Sequence, residues 1–518
     1  MIRIGIDVGG TNTDAVLLDG NRLVGTCKTA TTADVEQGVC TAIRTLLREQ
    51  ALNVAAIDAV MIGTTQFTNA FVERRNLSKV GMIRIGAPAT TGVPPLYDWP
   101  PALLAAIGDH CLIVRGGYDF DGSELAALDE LAISRAARTF RSAGIDAIAI
   151  ACCFAPVNSG MEHRAAEILS NEHPDARLSL SSAFGRLGLI ERENAAAMNA
   201  SLSALAQHVV QSFRRAISNL GIEAPFFISQ NDGTLMGADE VERHPVLTFA
   251  SGPTNSMRGA AYLSGLDDAI VLDIGGTTAD VGQLVNGFPR ESSITVDIGG
   301  VRTNFRMPDL VSRGLGGGSM VEIGEILRVG PQSVGYELTS RALVFGGDQL
   351  TATDIAVAAG VADVGDRSRV AHLPAAIVNA ALDAIHAQVD EAVDQIKTSH
   401  SDVPLVLVGG GSILVSRPLN SASDLRRPDN YSVANAVGAA IAQVGGEVDS
   451  VFSYENEGRD AVLAAAKQMA CDRAVAAGAE RSGIRIVDIT EVPMAYLPGK
   501  SVHVRVKAVG DLCATETQ

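Results

Sequence analysis

The sequence predicts an α/β protein of two similar halves that face each other across a cleft, followed by a small C-terminal α/β extension. Three observations carry that expectation. The octapeptide DVGGTNTD at residues 7–14 returns as DIGGTTAD at residues 273–280. Each copy follows an apolar, strand-like run and leads into a second one. Between the copies, no glycine or proline interrupts Leu189 to Leu220, which reads as one long helix joining two units.

The elements follow in order. IRIGID and TDAVLLDG are two strands on either side of the first Gly-Gly turn. Val35, Val39, Ile43, Leu46 and Leu47 recur at helical spacing. AVMIGTT (59–65) is a strand ending in two threonines, and FTNAFVERR opens a helix behind it. KVGMIRIG (79–86) is another strand, and the Pro-rich run 88–101 reads as a surface loop or lid. Helices are expected at 124–143 and 160–171, and strands at 146–154 and 177–182. After the long helix (about 187–219) come the strand APFFIS, a helix near 252–264 and the second repeated hairpin. Helices at 351–360, 374–399 and 432–444, with the strand VPLVLVGGG before the last, complete that half. A charged helix (459–482) and the strands IRIVDITEV and SVHVRVKAV close the chain. The expected domains are therefore 1–186, 187–445 and 446–518.

Composition narrows the function. The chain has 518 residues, too many for one core, with 47% hydrophobic residues, 52 glycines and a net charge of −18. That charge, with no basic cluster, argues against a nucleic-acid partner. No apolar run reaches the ~18 residues of a membrane span, and MIRIGIDVGG lacks the pattern of a secretory leader, so a cytoplasmic protein is expected. The seven cysteines include no CxxC pair and no metal-ligand spacing.

The repeated turn has a chemistry of its own. A Gly-Gly turn lets backbone approach a ligand closely, and successive N–H groups then form a concavity for phosphate oxygens. Gly9, Gly10, Thr11, Asn12 and Thr13 form the first such loop, and Gly275, Gly276, Thr277 and Thr278 the second. Asp7 and Asp273, each at a strand end, are placed to hold Mg²⁺. Two loops from two halves make a clamp on a nucleotide's phosphates. Gly409, Gly410, Gly411 and Ser412, after a buried strand, suit a base or ribose, and Gly316 and Gly317 could close over the phosphates. There is no GxxxxGK[ST] loop, and no GxGxxG opens a helix after a strand.

The ordered motifs GIDVGGTNTDAVLL, GTTQFTNAFVERR, RGGYDFDG, LIERENAAAMNASL, SQNDGTL, FASGPTNSMRGAAYL, LDIGGTTADVG, GLGGGSMVEIG and VGPQSVGY resemble the hydantoinase A/oxoprolinase family over most of residues 1–445. That resemblance implies two actin/hexokinase-like (ribonuclease H-like) domains around a nucleotide cleft. It implies ATP with Mg²⁺ or Mn²⁺, and an ATP-dependent amidohydrolase that opens a cyclic amide of hydantoin, 5-oxoproline or lactam type. Phosphorylation of the substrate oxygen would create the leaving group, and water would then open the ring. Some relatives are subunits of ketone carboxylases, so a second subunit or a homo-oligomer is implied. A small-molecule kinase, or an ATP-dependent activator or scaffold of a partner enzyme, is the alternative. The sequence departs from the family in carrying Asn12 where an aromatic is usual, and in having no histidine after GGGSILVSRP. Long family members also carry a large C-terminal region, whereas the ending here resembles a short-form subgroup.

Among the remaining candidates, Thr64 and Thr65 lie at a strand's C-terminal edge and are expected to touch substrate or phosphate, which adds them to Asp7 and Asp273 as catalytic candidates. Asp14 and Asp280 are expected to orient the loops through backbone N–H groups, the alternative being contact with a metal-bound water. Glu191 and Glu193, at the start of the long helix, are either bases for water or favourable helix-end charges. Asn231 and Asp232 follow the strand FFISQ and face the same cleft.

Overall fold

The computed structural model describes all residues except 10–11, 31–34, 185, 293–294, 399–402, 423, 495–499 and 514–518. Its first unit grows around β1 (Ile2–Val8), whose Ile4 and Ile6 are fully buried. β1 pairs antiparallel with β2 (Asn12–Asp19), and β2 with β3 (Arg22–Ala30). On its other side β1 runs parallel to β4 (Ala59–Thr64). A separate parallel sheet holds β5 (Val80–Ala87), β6 (His110–Arg115), β7 (Ala147–Cys152) and β8 (Arg177–Leu180) in the order β6-β5-β7-β8.

The large sheet then continues with residues far along the chain. β9 (Phe226–Ser229) runs parallel to β4, and β10 (Thr234–Gly237) turns back on β9. The strands Gln443–Ser453, Ser501–Gly510 and Arg485–Pro493 extend it to nine strands. The sheet thus crosses all the boundaries drawn from the sequence: β9 and β10 lie beyond residue 186, and the 445/446 boundary falls inside a strand. Strand pairing between distant segments leaves no local pattern, so sequence spacing does not reveal it.

The second unit repeats the first. β11 (Ala269–Ile274) and β12 (Ala279–Val285) form an antiparallel hairpin, and β11 runs parallel to Leu405–Val408 as β1 does to β4. This is the α/β, actin-like architecture expected from the sequence. Two helices join the units. Ser251–Ser264 leads into β11 and packs on the second sheet, while Ala434–Ile441 packs on β1, β2 and β4. They cross at backbone contact. A Cβ on Gly438 would lie 1.8 Å from the Asn255 carbonyl oxygen, and one on Gly259 would lie 1.9 Å from that of Ala434.

The long helix Leu189–Asn219 is present as expected, and it corrects two readings. Arg84 and Glu193 form a fully buried bidentate pair, with Nε–Oε2 at 2.6 Å and Nη2–Oε1 at 2.7 Å. Arg84 Nη1 also donates to the Val93 carbonyl (2.5 Å), and Trp99 Nε1 donates to Asn194 Oδ1 (2.8 Å). Residues 88–101 are therefore pinned to the helix, with Leu96 and Trp99 buried, and do not form a lid. Glu193 is likewise no base for water, because its carboxylate is spent on Arg84. The helix expected from residue 124 begins at Glu130, where Asp129 caps it by accepting from the Ala132 amide. Among the described residues, no helix is long and apolar enough to cross a membrane.

The helix crossing yields a test. Gly438→Val inserts bulk where a Cβ already has no room, and it should lower unfolding free energy by about 2–3 kcal/mol or more in denaturant titrations. An unchanged midpoint would mean that the two helices do not meet this closely.

Candidate functional site

The two repeated turns superimpose in their hydrogen bonding. Gly9 N–H donates to the Asn12 carbonyl (3.0 Å), and Gly275 N–H donates to that of Thr278 (2.9 Å). Asp7 sits opposite Asp14 in the first hairpin, as Asp273 sits opposite Asp280 in the second. The chain has therefore built one device twice, down to the register. Gly10 and Thr11 lie outside the described residues. Asn12 is exposed at the turn, and Thr13 is buried beside it.

The second loop shows how the backbone is aimed. The carbonyls of Gly275 and Gly276 accept from the amides of Gly317 (3.0 Å) and Gly318 (2.7 Å). In a planar trans peptide the following N–H points the opposite way from the carbonyl. The N–H groups of Gly276 and Thr277 are thus turned away from the 316–318 segment, and neither has an acceptor among the described residues. They form a donor nest suited to an anionic oxygen. Gly316 and Gly317 consequently lie behind the loop, on its carbonyl side, and do not cover a ligand. A Cβ on Gly316 would lie 2.5 Å from the Gly276 carbonyl carbon.

The 409 cluster presses on the same loop from another side. Gly409 has φ +80°, and a Cβ there would lie 2.2 Å from Asp273 Oδ1. A Cβ on Gly411 would meet the Gly275 carbonyl oxygen at 2.5 Å, whereas Gly410 borders open space. Ser412 is fully buried, and its hydroxyl has no partner among the described residues.

Two side chains on the crossing helices join the halves. Asn435 Nδ2 donates to Asp7 Oδ2 at 3.3 Å. Ser256 Oγ contacts both Asn435 Oδ1 and Asp273 Oδ2. A continuous chain, Asp7–Asn435–Ser256–Asp273, therefore spans the cleft. Beside it, Asn255 is fully buried, with neither amide atom partnered among the described residues. A Cβ at position 63 would fall 2.5 Å from its Nδ2 and 2.8 Å from Asp7 Oδ1, which places Asn255 next to the carboxylate. Sequence reasoning missed Asn255, Ser256 and Asn435. The first two lie within the FASGPTNSMRGAAYL motif, where other polar residues (Ser251, Thr254, Arg258) surround them and no local signal singles them out.

The flanking carboxylates differ. Asp14 is neutralised by Lys28, whose Nζ lies 2.6 Å from Oδ1 and 2.8 Å from Oδ2. Asp280 accepts from Ser312 Oγ at 2.5 Å. Thr64 and Thr65 stand next to the first loop, with Thr64 opposite Val8. Thr64 Oγ1 accepts from the Gln66 amide (3.3 Å) at the start of the helix Gln66–Glu73, and Thr65 Oγ1 accepts from Asn69 Nδ2 (3.4 Å). Glu191 meets Arg302 at 3.3 Å, away from the two loops.

Electrostatics mark Asp7 and Asp273 as unfinished. Burial first, then the charges of Asp14 and Asp273, with Asn435 opposing, raise the Asp7 carboxyl to about 7. For Asp273, burial opposed by Ser256 and helped by Asp280 gives a carboxyl raised to about 6. Two facing carboxylates, an orphaned amide and a donor nest fit a divalent cation with phosphate oxygens.

Residues 3–173 match the hydantoinase/oxoprolinase N-terminal region, and residues 192–365 match hydantoinase/oxoprolinase. The chain belongs to the hydantoinase/oxoprolinase family. It is 28% identical over 382 residues to the caprolactamase subunit alpha of Pseudomonas jessenii, covering 69% of this chain and 54% of that one. It is also 28% identical over 393 residues to the acetophenone carboxylase gamma subunit of Aromatoleum aromaticum, covering 69% and 53%. The chain thus spans about half the length of the curated family members it matches. Among solved structures, the ATP-dependent caprolactamase of Pseudomonas jessenii shares the fold with a TM-score of 0.77 at 20% identity, over 99% of this chain and 88% of that one. Nucleotide-free acetone carboxylase does so with a TM-score of 0.69 at 16% identity, over 99% and 88%.

The buried carboxylates make stability depend on pH in a defined direction. A raised folded-state pKa contributes stability below the unfolded value, near 3.9, and that contribution is lost as pH climbs through about 7. In cation-free protein at about pH 8, Asp7→Asn should therefore be more stable than the parent by on the order of 1–3 kcal/mol. The two should converge near about pH 4, as thermal melts in chelator would reveal. Identical midpoints at the higher pH would refute the buried-charge assignment.

Proposed function

We propose that this chain uses ATP to activate the carbonyl oxygen of a small cyclic amide, as an ATP-dependent amidohydrolase that works with a partner subunit. The observation that carries the reading is the pair Asp7 and Asp273, held in one hydrogen-bonded chain between two equivalent turns. The caprolactamase and the acetone carboxylase are both ATP-dependent, and their named substrates, a lactam and a ketone, share a carbonyl group. The subunit names of the matched family members support a partner.

In this reading the first loop (Gly9, Gly10, Thr11, Asn12, Thr13) and the second (Gly275, Gly276, Thr277, Thr278) hold the phosphates. The amides of Gly276 and Thr277 receive charge on the transferring group. Asp7 and Asp273 would hold Mg²⁺ or Mn²⁺, which when bound neutralises phosphate charge. Asn435 and Ser256 orient these carboxylates, while Gly410 and Ser412 border the nucleoside. Thr64 and Thr65 line the substrate side. The substrate oxygen bonds to the γ-phosphorus as the bond to ADP breaks. Water adds to the activated carbon, the C–N bond opens to release the amine, and a second water converts the acyl phosphate to carboxylate and phosphate.

The test is phosphate release by the purified chain with ATP and Mg²⁺, screened against hydantoins, 5-oxoproline, small lactams and simple ketones with bicarbonate. Stimulation by one cyclic amide is expected, with loss of at least ~100-fold in Asp7→Asn and Asp273→Asn. Turnover that survives both substitutions would overturn the assignment. Stimulation by ketones alone would move the chemistry to carboxylation.

A further inference from the structure

Asp7, Asp14 and Lys28 form one row across three neighbouring strands. Asp7 of β1 stands opposite Asp14 of β2, and Asp14 stands opposite Lys28 of β3. Residues paired in this way project from the same face of a sheet. Asp7 meets Asn435 on that face, so Asp14 and Lys28 stand on the cleft side as well. With strands about 5 Å apart, the Lys28 backbone lies about 10 Å from that of Asp7. Its side chain leans back along the row to Asp14.

The charges of the cleft are one-sided. Asp7, Asp14, Asp273 and Asp280 all flank the two loops. Among the described residues, no lysine or arginine other than Lys28 contacts any of them. Burial raises the carboxyls of both Asp7 and Asp273, and Lys28 acts against it on both, although they lie on opposite sides of the cleft. The ammonium therefore acts on the whole cleft and not on Asp14 alone.

Lys28 also keeps capacity for a guest. An ammonium has three donors, and both of its contacts go to a single carboxylate. The Lys28 side chain is 39% exposed, against 10% for Asp14, so it is reached from the cleft without moving the hairpin.

The order of the phosphates follows from the nucleoside end. Gly410, which borders open space, belongs to the second unit. A phosphate chain that starts there runs toward the first unit, and its last phosphate is the one that meets β1, β2 and β3. Four carboxylates repel that group, so its charge has to be met by cations. A compact ammonium suits a phosphoryl whose charge is spread over three oxygens.

Resting on the ATP-dependent reading above, we infer that Lys28 is a further catalytic residue, which holds the terminal phosphate. Its ammonium bridges Asp14 and an oxygen of that phosphate, selects triphosphate over diphosphate, and meets the charge on the phosphoryl as the bond to ADP breaks. Lys28 stays protonated throughout, and the bond changes at phosphorus are those already given.

The test is calorimetric binding of ADP and of a non-hydrolysable ATP analogue, each with Mg²⁺, to the parent chain, Lys28→Met, Lys28→Arg and the double variant Asp14→Asn with Lys28→Met. Lys28→Met should weaken the triphosphate about tenfold or more while ADP changes by less than about threefold, and Lys28→Arg should recover part of the loss. A Lys28 that only neutralises Asp14 would be dispensable once Asp14 is uncharged. The double variant should therefore still lack the triphosphate preference, and this comparison stands if Lys28→Met alone is unstable. Restored triphosphate binding in the double variant, or equal losses for both nucleotides, would overturn the role of Lys28 and leave the clamp in place. A parent chain that binds neither nucleotide would overturn the clamp and this role together.

Discussion

The contact on which the site depends is the crossing of the helices Ser251–Ser264 and Ala434–Ile441. Because Gly259 and Gly438 leave no side chain between them, the helices meet backbone to backbone. That approach brings Ser256 and Asn435 within hydrogen-bond range, and through them Asp7 and Asp273. The separation of the two carboxylates is thus set by packing at a helix crossing and not by the hairpins that carry them. A larger residue at either glycine would change the spacing of the charges before it touched any ligand.

The two halves share a hairpin and a register but not an electrostatic setting. Lys28 closes off Asp14, while among the described residues Asp280 has only the Ser312 hydroxyl. The second loop is buttressed by 316–318 and by Gly409 and Gly411, so its amides are held in a fixed orientation. Duplication supplied the frame, and divergence lies in what braces each turn.

Much of this was readable in the sequence, because it is local. DVGGTNTD and DIGGTTAD announce both hairpins, and with them Asp7, Asp14, Asp273 and Asp280. The long helix is marked by its unbroken run. What was unreadable is what depends on distant partners. Asn255, Ser256 and Asn435 look like ordinary polar residues on short helices until the crossing makes them face the carboxylates. The Pro-rich run reads as a loose loop until Arg84 ties it down. The strands after residue 443 read as an appendage, because their place beside β10 is decided by pairing across more than 200 residues.

The topology of the large sheet has a consequence for biosynthesis. The chain leaves that sheet after β10 and returns only at residue 443, with the whole second unit strung between the two central helices. During translation, β1 emerges first, while three strands of its sheet have yet to be made. The inserted unit can close on itself earlier, since β11, β12 and Leu405–Val408 all precede the return. The half of the molecule that starts first is therefore the one that finishes last, and until it does, the flank of β10 is an open edge that a nascent chain must shield.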